Sequence, residues 1–537
     1  MADSLAAMGT DQRVALAADA RLLLHAQFAA DPVSLSALAN LGRDQWLAKQ
    51  FTSPRGQSGM DWLDTQGHNA VTSEARYFWP MAGDHMIWNQ ILAQPDQMRQ
   101  RCAFALSQFF VVSLNPIDGF WPPYIMAGYW DVLLKGAFGN FRDLLEAVTL
   151  NAGMGMYLNT KGNLKEDESS GRRPDENYAR EIMQLFTIGL HELNPDGTEK
   201  LGADGKPVET YGQDDITNLS RVFTGYDHDY RRVKRTRVAW QDYPVVSTEF
   251  CIDPMVLDPA NHSTLAVSFL GCDIAADTPG EAALKTALDH LFAHPNVGPF
   301  FGKQMIQRMV SSNPSPAYVK RVADAFADNG SGVRGDMRAV WKAILTDPEA
   351  LAAPEPEAVL SGRLREPVTR WVGWFRTVGL TSENGKFEIY DTSGAGEGLG
   401  QSPLRSPSVF NFYRPGYVPP QTAMAERDLP APEFQLQNES SAAGYINFLQ
   451  WTLRAGYDDV KPTYEALLPV AHDASAVVDW LNLHLAADQL SAPTTTLITE
   501  ALTSKGVTAE SSRSDKLDLL ASACLLVMSA PEYLVLK

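Results

Sequence analysis

A chain of 537 residues with 45% hydrophobic and 20% charged side chains is composed like a folded protein, which excludes a disordered or low-complexity reading. Acids outnumber bases by 64 to 45, and a formal net charge of −19 opposes broad binding to nucleic acid or to an anionic membrane. No charge-free apolar run reaches the roughly 18 residues that a transmembrane helix needs.

The opening residues have no basic stretch followed by an apolar core, so no signal peptide is expected. A cytoplasmic protein and a mature form stripped of its export signal both fit. Leu16 to Phe28 reads as a helix. Leu35, Leu38, Leu41, Trp46 and Leu47 follow at helical intervals, with Gly42 separating two helices. From Thr72 to Ser113 a series of amphipathic helices is expected. The last of them is apolar after Cys102 and suits a buried central position. "GNFRDLLEAVTLNAGMGMYL" at 139–158 continues the pattern. Residues 231–250 are rich in Val, Thr, Tyr and Trp, which predicts a small β-hairpin. Helical spacing resumes over 281–292, 297–310, 318–326 and 333–345, then over 363–378, 443–455, 474–485, 495–502 and 516–529. The fold class is therefore mainly α, multi-helical with long loops; a weak division falls near 347–362, where the chain is rich in Ala, Pro and Glu, although the helices on its two sides could share one core over 1–537.

The four cysteines, Cys102, Cys251, Cys272 and Cys524, form no CxxC pair, which argues against structural zinc or iron–sulfur chemistry. Buried free thiols are expected, with a Cys251–Cys272 loop as the alternative in an oxidising compartment. No metal or cofactor site is predicted.

"RRPDENYAREIMQLFTIGLHELNPDGT" at 172–198 is the stretch richest in candidate chemistry. Pro174, Asp175 and Glu176 predict a helix start, where proline is tolerated and acids face unpaired amide hydrogens. Tyr178, Ile182, Leu185 and Phe186 share an apolar face, while Asn177, Glu181 and Gln184 form a polar line beside it. Glu176 and Arg180 are spaced to pair on the surface. A polar line of this kind suits the rim of a cleft, and it suits equally a helix held by its neighbours. Carboxylates act as a general acid/base pair when burial raises the pKa of one of them. Glu181 and Glu176 come first for that role, Asp215 and His191 next, with Arg180 as orienter and Asn177 as a further substrate contact; Glu192 and Asp214 are near in sequence. His191-Glu192 lacks the second histidine of an HExxH zinc motif. The glycine-rich "NGSG" at 329–332 and "GAGEGLG" at 394–400 lack a strand–loop–helix setting and read as turns. No GxSxG occurs.

Five basic residues within seven positions, Arg231, Arg232, Lys234, Arg235 and Arg237, precede Trp240 and Tyr243. In an acidic protein this suggests contact with a phosphate, a sulfated or carboxylated glycan or an acidic partner. Arg232, Arg235 and Trp240 are the candidate substrate contacts, and an exposed solvated hairpin is the bland alternative. Trp79, Trp88, Trp121, Trp130 and Tyr124 could offer flat faces to sugar rings, although most aromatics at helical spacing are core.

Several segments are similar to the bacterial DUF1800 family, in its longer proteobacterial type. They include "ARLLLHAQFAADPVSLSALANLGRDQWLAKQF" at 20–51, "MRQRCAFALSQFFVVS" at 98–113, "GRRPDENYAREIMQLFTIGLHELNPDGT" at 171–198 and "SPLRSPSVFNFYRPGYVPP" at 402–420. The family's Glu-Asn-Tyr/Phe-Ala-Arg-Glu core falls on Glu176, Asn177, Tyr178, Ala179, Arg180 and Glu181, and its Phe-Thr-Gly-Trp becomes Phe223-Thr224-Gly225-Tyr226. In "NHSTLAVSFLG" at 261–271, Ser263 and Val267 replace the aspartate and lysine of many relatives, so no phosphate or Schiff-base role for that lysine carries over. The resemblance implies a single elongated helical unit. It also implies export to the periplasm or beyond, commonly by the twin-arginine route, beside secreted proteins of the DUF1501 type. It implies no activity. The resulting expectation is an exported enzyme that cleaves a polysaccharide by carboxylate acid/base chemistry. The alternative is a non-catalytic scaffold or binding partner of a co-secreted protein.

Overall fold

The computed structural model describes residues 8–71, 74–352 and 361–537. Gly42 shows how local chemistry sets the first boundary. It adopts φ 73°, a conformation that costs glycine little, and separates α1–α2 (Thr10–Ala26, Pro32–Leu41) from α3 (Arg43–Thr52). Asp31 caps α2 by accepting from the Val33 and Ser34 amides.

Helices α4 (Met81–Ala93) and α5 (Gln97–Ser107) follow, and the chain stays buried past α5 to Leu114. The most surrounded helix is the next one, α6 (Pro122–Gly136). It packs against α4, α5 and the helices Gly59–Thr65, Phe141–Thr149 and Ala152–Tyr157. The central place expected for the segment after Cys102 is thus shared with a helix that the Pro122-Pro123 pair disguises as a break. Proline suits the first turn of a helix, and α6 is apolar around most of its circumference. Gly128 lets its backbone touch a neighbour: a Cβ there would stand 2.1 Å from the Cys251 carbonyl oxygen.

Strand content among the described residues is confined to two-stranded antiparallel pairs. The expected hairpin is one of them: β1 (Arg235–Thr236) pairs with β2 (Val245–Val246) in the register Arg235↔Val246 and Thr236↔Val245. Buried hydrophobic side chains from Ala17 to Leu536 form one contiguous cluster. The division expected near 347–362 lies partly outside the described residues, at 353–360; Pro348–Leu351 before it is a short helix. All four cysteines are free. No helix among the described residues is long and apolar enough to cross a membrane.

The interior is unusual in its cations. Arg101, Arg308, Arg363, Arg365 and Arg370 are all buried. Glu366, fully buried, accepts hydrogen bonds from Arg363 (2.8 Å), Gln401 (2.6 Å) and Gln108. Burial alone would raise its carboxyl. The Arg363 and Arg101 guanidiniums, with the Gln401 and Gln108 donors, hold it below the ordinary 4.5 instead. Such a group stabilises the fold above its unfolded pKa, and that contribution is lost as pH falls through the depressed folded value. Glu366→Gln keeps the shape but removes the carboxylate hydrogen-bonded to buried Arg363, leaving only Glu433 to answer its charge. It should cost about 3–5 kcal/mol in urea denaturation at pH 7, with the gap to wild type closing as the pH drops below about 4.5. Unchanged stability at pH 7 would mean that Arg363 is satisfied without the charge.

Candidate functional site

The helix at the centre of the candidate stretch is α7 (Asn177–Gln184), with Glu176 at its N-cap. It begins three residues later than Pro174 predicts, because Asn163 holds the Asp175 backbone from outside. Its Oδ1 accepts from the Asp175 amide at 2.9 Å and its Nδ2 donates to the Asp175 carbonyl at 3.3 Å. The Asp175 carboxylate accepts from the Asn177 amide (2.8 Å). The helix ends before Leu185, and Gly189 reverses the chain with φ 73°. Tyr178, Ile182, Leu185 and Phe186 are buried as their spacing predicts, and the Tyr178 hydroxyl donates to Thr149 Oγ1 at 2.8 Å.

The candidate carboxylates have different employment. Glu176 accepts from Thr217 Oγ1 (2.8 Å) and Gln213 Nε2 (2.9 Å), tying α7 to α8 (Gln213–Ser220), and Arg180 reaches it at 3.5 Å. Asp215 accepts from the Gly212 amide (2.8 Å) at the start of α8 and from the Leu270 amide (2.8 Å), so it fastens α8 to the 267–274 strand pair. His191 and Glu192 diverge as adjacent side chains do: His191 Nδ1 meets Glu199 at 2.7 Å, and Glu192 meets Lys200 at 3.1 Å.

Glu181 is the exception. It is 8% exposed, and its Oε2 has no hydrogen-bond partner among the described residues. Burial raises its carboxyl above the ordinary 4.5, with Arg180 pulling the other way. Two tyrosines stand close enough to feel its charge. Tyr211 is pushed to about 12 by burial and then by Glu181. Tyr157, beside Ser406, is raised to about 12, mainly by burial. The Tyr211 hydroxyl also reaches Gln184 Oε1 at 3.4 Å. Gln184 lies one turn on from Glu181 and lines a half-open cavity of about 280 Å³ with His191, Phe300, Phe410 and Arg414. Phe300 and Gln304 come from α9 (Val297–Met309). Sequence reasoning placed Glu181, Gln184 and His191 near one another but missed Tyr157, Tyr211, Phe410 and Arg414. The last two belong to the quoted "SPLRSPSVFNFYRPGYVPP" segment, whose density of aromatics beside arginines was the available signal.

The basic run is divided. Arg231 pairs with Asp229 (2.7 Å) and Arg232 with Asp253, while Arg235 sits exposed in β1. Trp240 is half-buried against Tyr77 and Phe78. Trp88, Trp121, Trp130 and Tyr124 are core residues rather than sugar platforms; Trp79 is 55% exposed. Among the described residues no group of three or more His, Cys, Asp or Glu side chains is arranged to hold a metal ion.

The architecture is that of a mainly α-helical protein, with its candidate site where α7, α9 and the 401–415 segment meet. The chain belongs to the DUF1800 family, described as a protein of unknown function, whose family model matches residues 21–535. Neither a curated protein nor a solved structure matches it.

The raised Glu181 carboxyl makes a stability prediction of definite sign. The folded state favours its protonated form, so its contribution is fully present below the unfolded pKa and is lost as pH rises through the folded one. Glu181→Gln mimics the protonated form. It should be more stable than wild type at pH 7 to 8, and the two melting temperatures should converge on acidification toward pH 4. A variant less stable than wild type at pH 7 would show that the carboxylate is charged and well solvated there.

Proposed function

We propose that this protein is an exported carbohydrate-active enzyme, working in the periplasm or outside the cell, in which the Glu181 carboxyl donates a proton to the oxygen leaving a cleaved glycosidic bond. The observation that carries this reading is the isolation of Glu181. Of Glu176, Glu181 and Asp215 it alone has a buried oxygen with no hydrogen-bond partner among the described residues, and its pKa is raised in the sense that suits a general acid. Glu176 and Asp215 are taken up in joining helices, so the reading rests on one carboxyl and not on a symmetrical pair. In the hydrolysis, the C–O bond breaks, the leaving oxygen takes the Glu181 proton, and water supplies hydroxide to the sugar and a proton back to the carboxylate. Phe300, Phe410 and Arg414 on the neighbouring cavity wall offer ring faces and a cation to a sugar chain.

A second reading, a non-catalytic partner of a co-secreted DUF1501-type protein, is favoured by one observation. The bridged arm over 191–209 and its approach expose the apolar Leu190 (52%) and Leu201 (63%). The deciding measurement is mass spectrometry of products released from neutral, acidic and sulfated polysaccharides by wild type and Glu181→Gln. Loss of one general acid should lower turnover by roughly a hundredfold or more while the fold persists. Products that persist in Glu181→Gln would remove that residue from the chemistry. Silence from folded wild type across the panel would overturn the enzyme reading and favour the partner, to be sought by pull-down.

A further inference from the structure

The sequence concentrates five cations in 231–237, and the fold satisfies only some of them. Arg231 and Arg232 have carboxylate partners. Lys234, Arg235 and Arg237 are exposed and form no ion pair among the described residues; Arg237 only donates to the Asp242 carbonyl (2.6 Å). Three uncompensated cations on one short hairpin of a protein with net charge −19 form a local field of the opposite sign.

Beside them lies a cluster of aromatic rings, tilted to one another except where Phe120 stacks on Tyr77, of which Tyr243 is the exposed member. Phe120 stacks on Tyr77 (4.9 Å between ring centres), Trp240 leans on Tyr77 (5.9 Å), and Tyr243, 51% exposed, lies 6.2 Å from Phe120. The cluster is pinned from beneath. Trp121 donates its indole N–H to the Val246 carbonyl in β2 (2.7 Å) and its backbone N–H to the Tyr77 carbonyl (2.8 Å). The same residue is held at φ 56°, a left-handed conformation that an aromatic side chain rarely takes. Strain kept in place by surrounding contacts is frequent where a surface is shaped for binding.

Phe120 also forms one wall of a separate cavity of about 220 Å³, shared with Lys161, His228 and Tyr230. Burial holds His228 uncharged, its pKa lowered to about 4, and its Nδ1 lies 3.3 Å from the Tyr230 hydroxyl. His228 and Tyr230 offer hydrogen-bonding groups, Phe120 a ring, and Arg235 lies close enough to act electrostatically on Tyr230; hydrogen-bonding groups, rings and a cation together are the chemistry that recognises a sugar carrying acid groups. Three carboxylates temper the site: Asp118 on the cavity wall, Asp227, paired with Lys161 at 3.3 Å, and the exposed Asp242 between Arg237 and Tyr243. A densely sulfated chain would press several charges against them. A uronate chain, with one carboxylate per ring, sets its charges against the three free cations.

We propose that the hairpin face, from Arg235 and Arg237 across Tyr243 to the Phe120–His228 cavity, is the docking site for a uronic-acid polysaccharide. This deepens the reading above by naming the substrate class. It shares with that reading only the assumption that the target is a glycan, and needs nothing of Glu181.

The test is calorimetric titration of the full chain with oligogalacturonate, neutral dextran and dextran sulfate, on wild type and on Glu181→Gln so that no turnover consumes the probe. Oligogalacturonate should bind, dextran should not, and dextran sulfate should bind more weakly. Arg235→Glu with Arg237→Glu, and separately Tyr243→Ala, should each weaken oligogalacturonate roughly tenfold or more. All three side chains are exposed, so the melting temperature should hold. Undiminished affinity in those variants, tighter binding of dextran sulfate, or no binding at all would overturn the proposal. Binding without released products leaves this site standing and removes the chemistry assigned to Glu181. Released products with an unchanged KM in the hairpin variants do the reverse.

Discussion

Among the described residues, five arginines buried in one cluster, Arg101, Arg308, Arg363, Arg365 and Arg370, with only Glu366 and Glu433 among them, set the constraint on which the rest of the interior depends. A guanidinium has five N–H donors and keeps its charge, so each one taken out of water must find acceptors in the protein. Arg101 donates to the Arg308 carbonyl (2.5 Å), Arg308 to Gln304 and to the Gln108 carbonyl (3.0 Å), and Arg365 to the Leu485 carbonyl (2.7 Å). Ring faces take part of the load: Arg365 lies over Tyr533 (4.4 Å) and Arg370 over Tyr445 (4.1 Å). Every one of these contacts joins parts of the chain that are far apart in sequence, except Arg308 with Gln304. The charge itself is answered by Glu366 and Glu433; the latter accepts from Ser312 and from the Leu364 amide (3.1 Å). Both carboxylates interact electrostatically with Arg363, and Glu366 also with Arg101 and Arg308.

The same cluster positions the candidate site. Gln401, bonded to Glu366, opens a segment that runs along α4 and the chain leaving α5 and is fastened at short intervals. The Leu114 amide donates to the Leu404 carbonyl (2.9 Å), Arg405 grips the buried Asp84 with two bonds (2.8 and 2.6 Å), and the Tyr413 hydroxyl reaches Gln108 at 3.3 Å. Between these anchors Leu404 and Asn411 adopt left-handed conformations, φ 56° and 64°, which the anchors on both sides hold in place. Ser406 then stands beside Tyr157 near Glu181, while Phe410 and Arg414 become the cavity wall opposite α7. The proton-donor chemistry proposed for Glu181 thus depends on an anion, Glu366, that takes no part in it.

The legible and illegible parts of this structure divide by the range of the interactions that decide them. Gly42, the apolar face of α7 and the hairpin at 235–246 were readable because spacing, a glycine and β-branched composition act over a few residues. The helix α6 was not, since its prolines and glycines are local breakers and its stability comes from five helices packed around it. Glu366 was hidden for a related reason: in "RLREPV" at 363–368 an acid among arginines looks like exposed charge, and only tertiary contacts from residues 108 and 401 make it a core residue. The candidate acids carry the same lesson. Spacing located Glu176, Glu181 and Asp215 correctly along the chain, but which of them keeps a free oxygen is set by α8 and by the Leu270 amide, both distant in sequence.

Charge on this molecule acts at two ranges, and they oppose each other at the hairpin face. Nineteen excess negative charges repel an approaching polyanion, yet at physiological salt that field decays over about 8 Å. Lys234, Arg235 and Arg237 act within that distance. Added salt therefore weakens the long-range repulsion together with the short-range attraction, and it leaves the stacking on Tyr243 and Phe120 untouched. A site of this build differs from a basic groove for nucleic acid, whose affinity falls steeply with salt because nearly all of it is electrostatic. The acidic average of the chain opposes indiscriminate binding of polyanions, so any preference of the proposed site among acidic polymers would have to come from contact with Tyr243 and Phe120 as well as from charge.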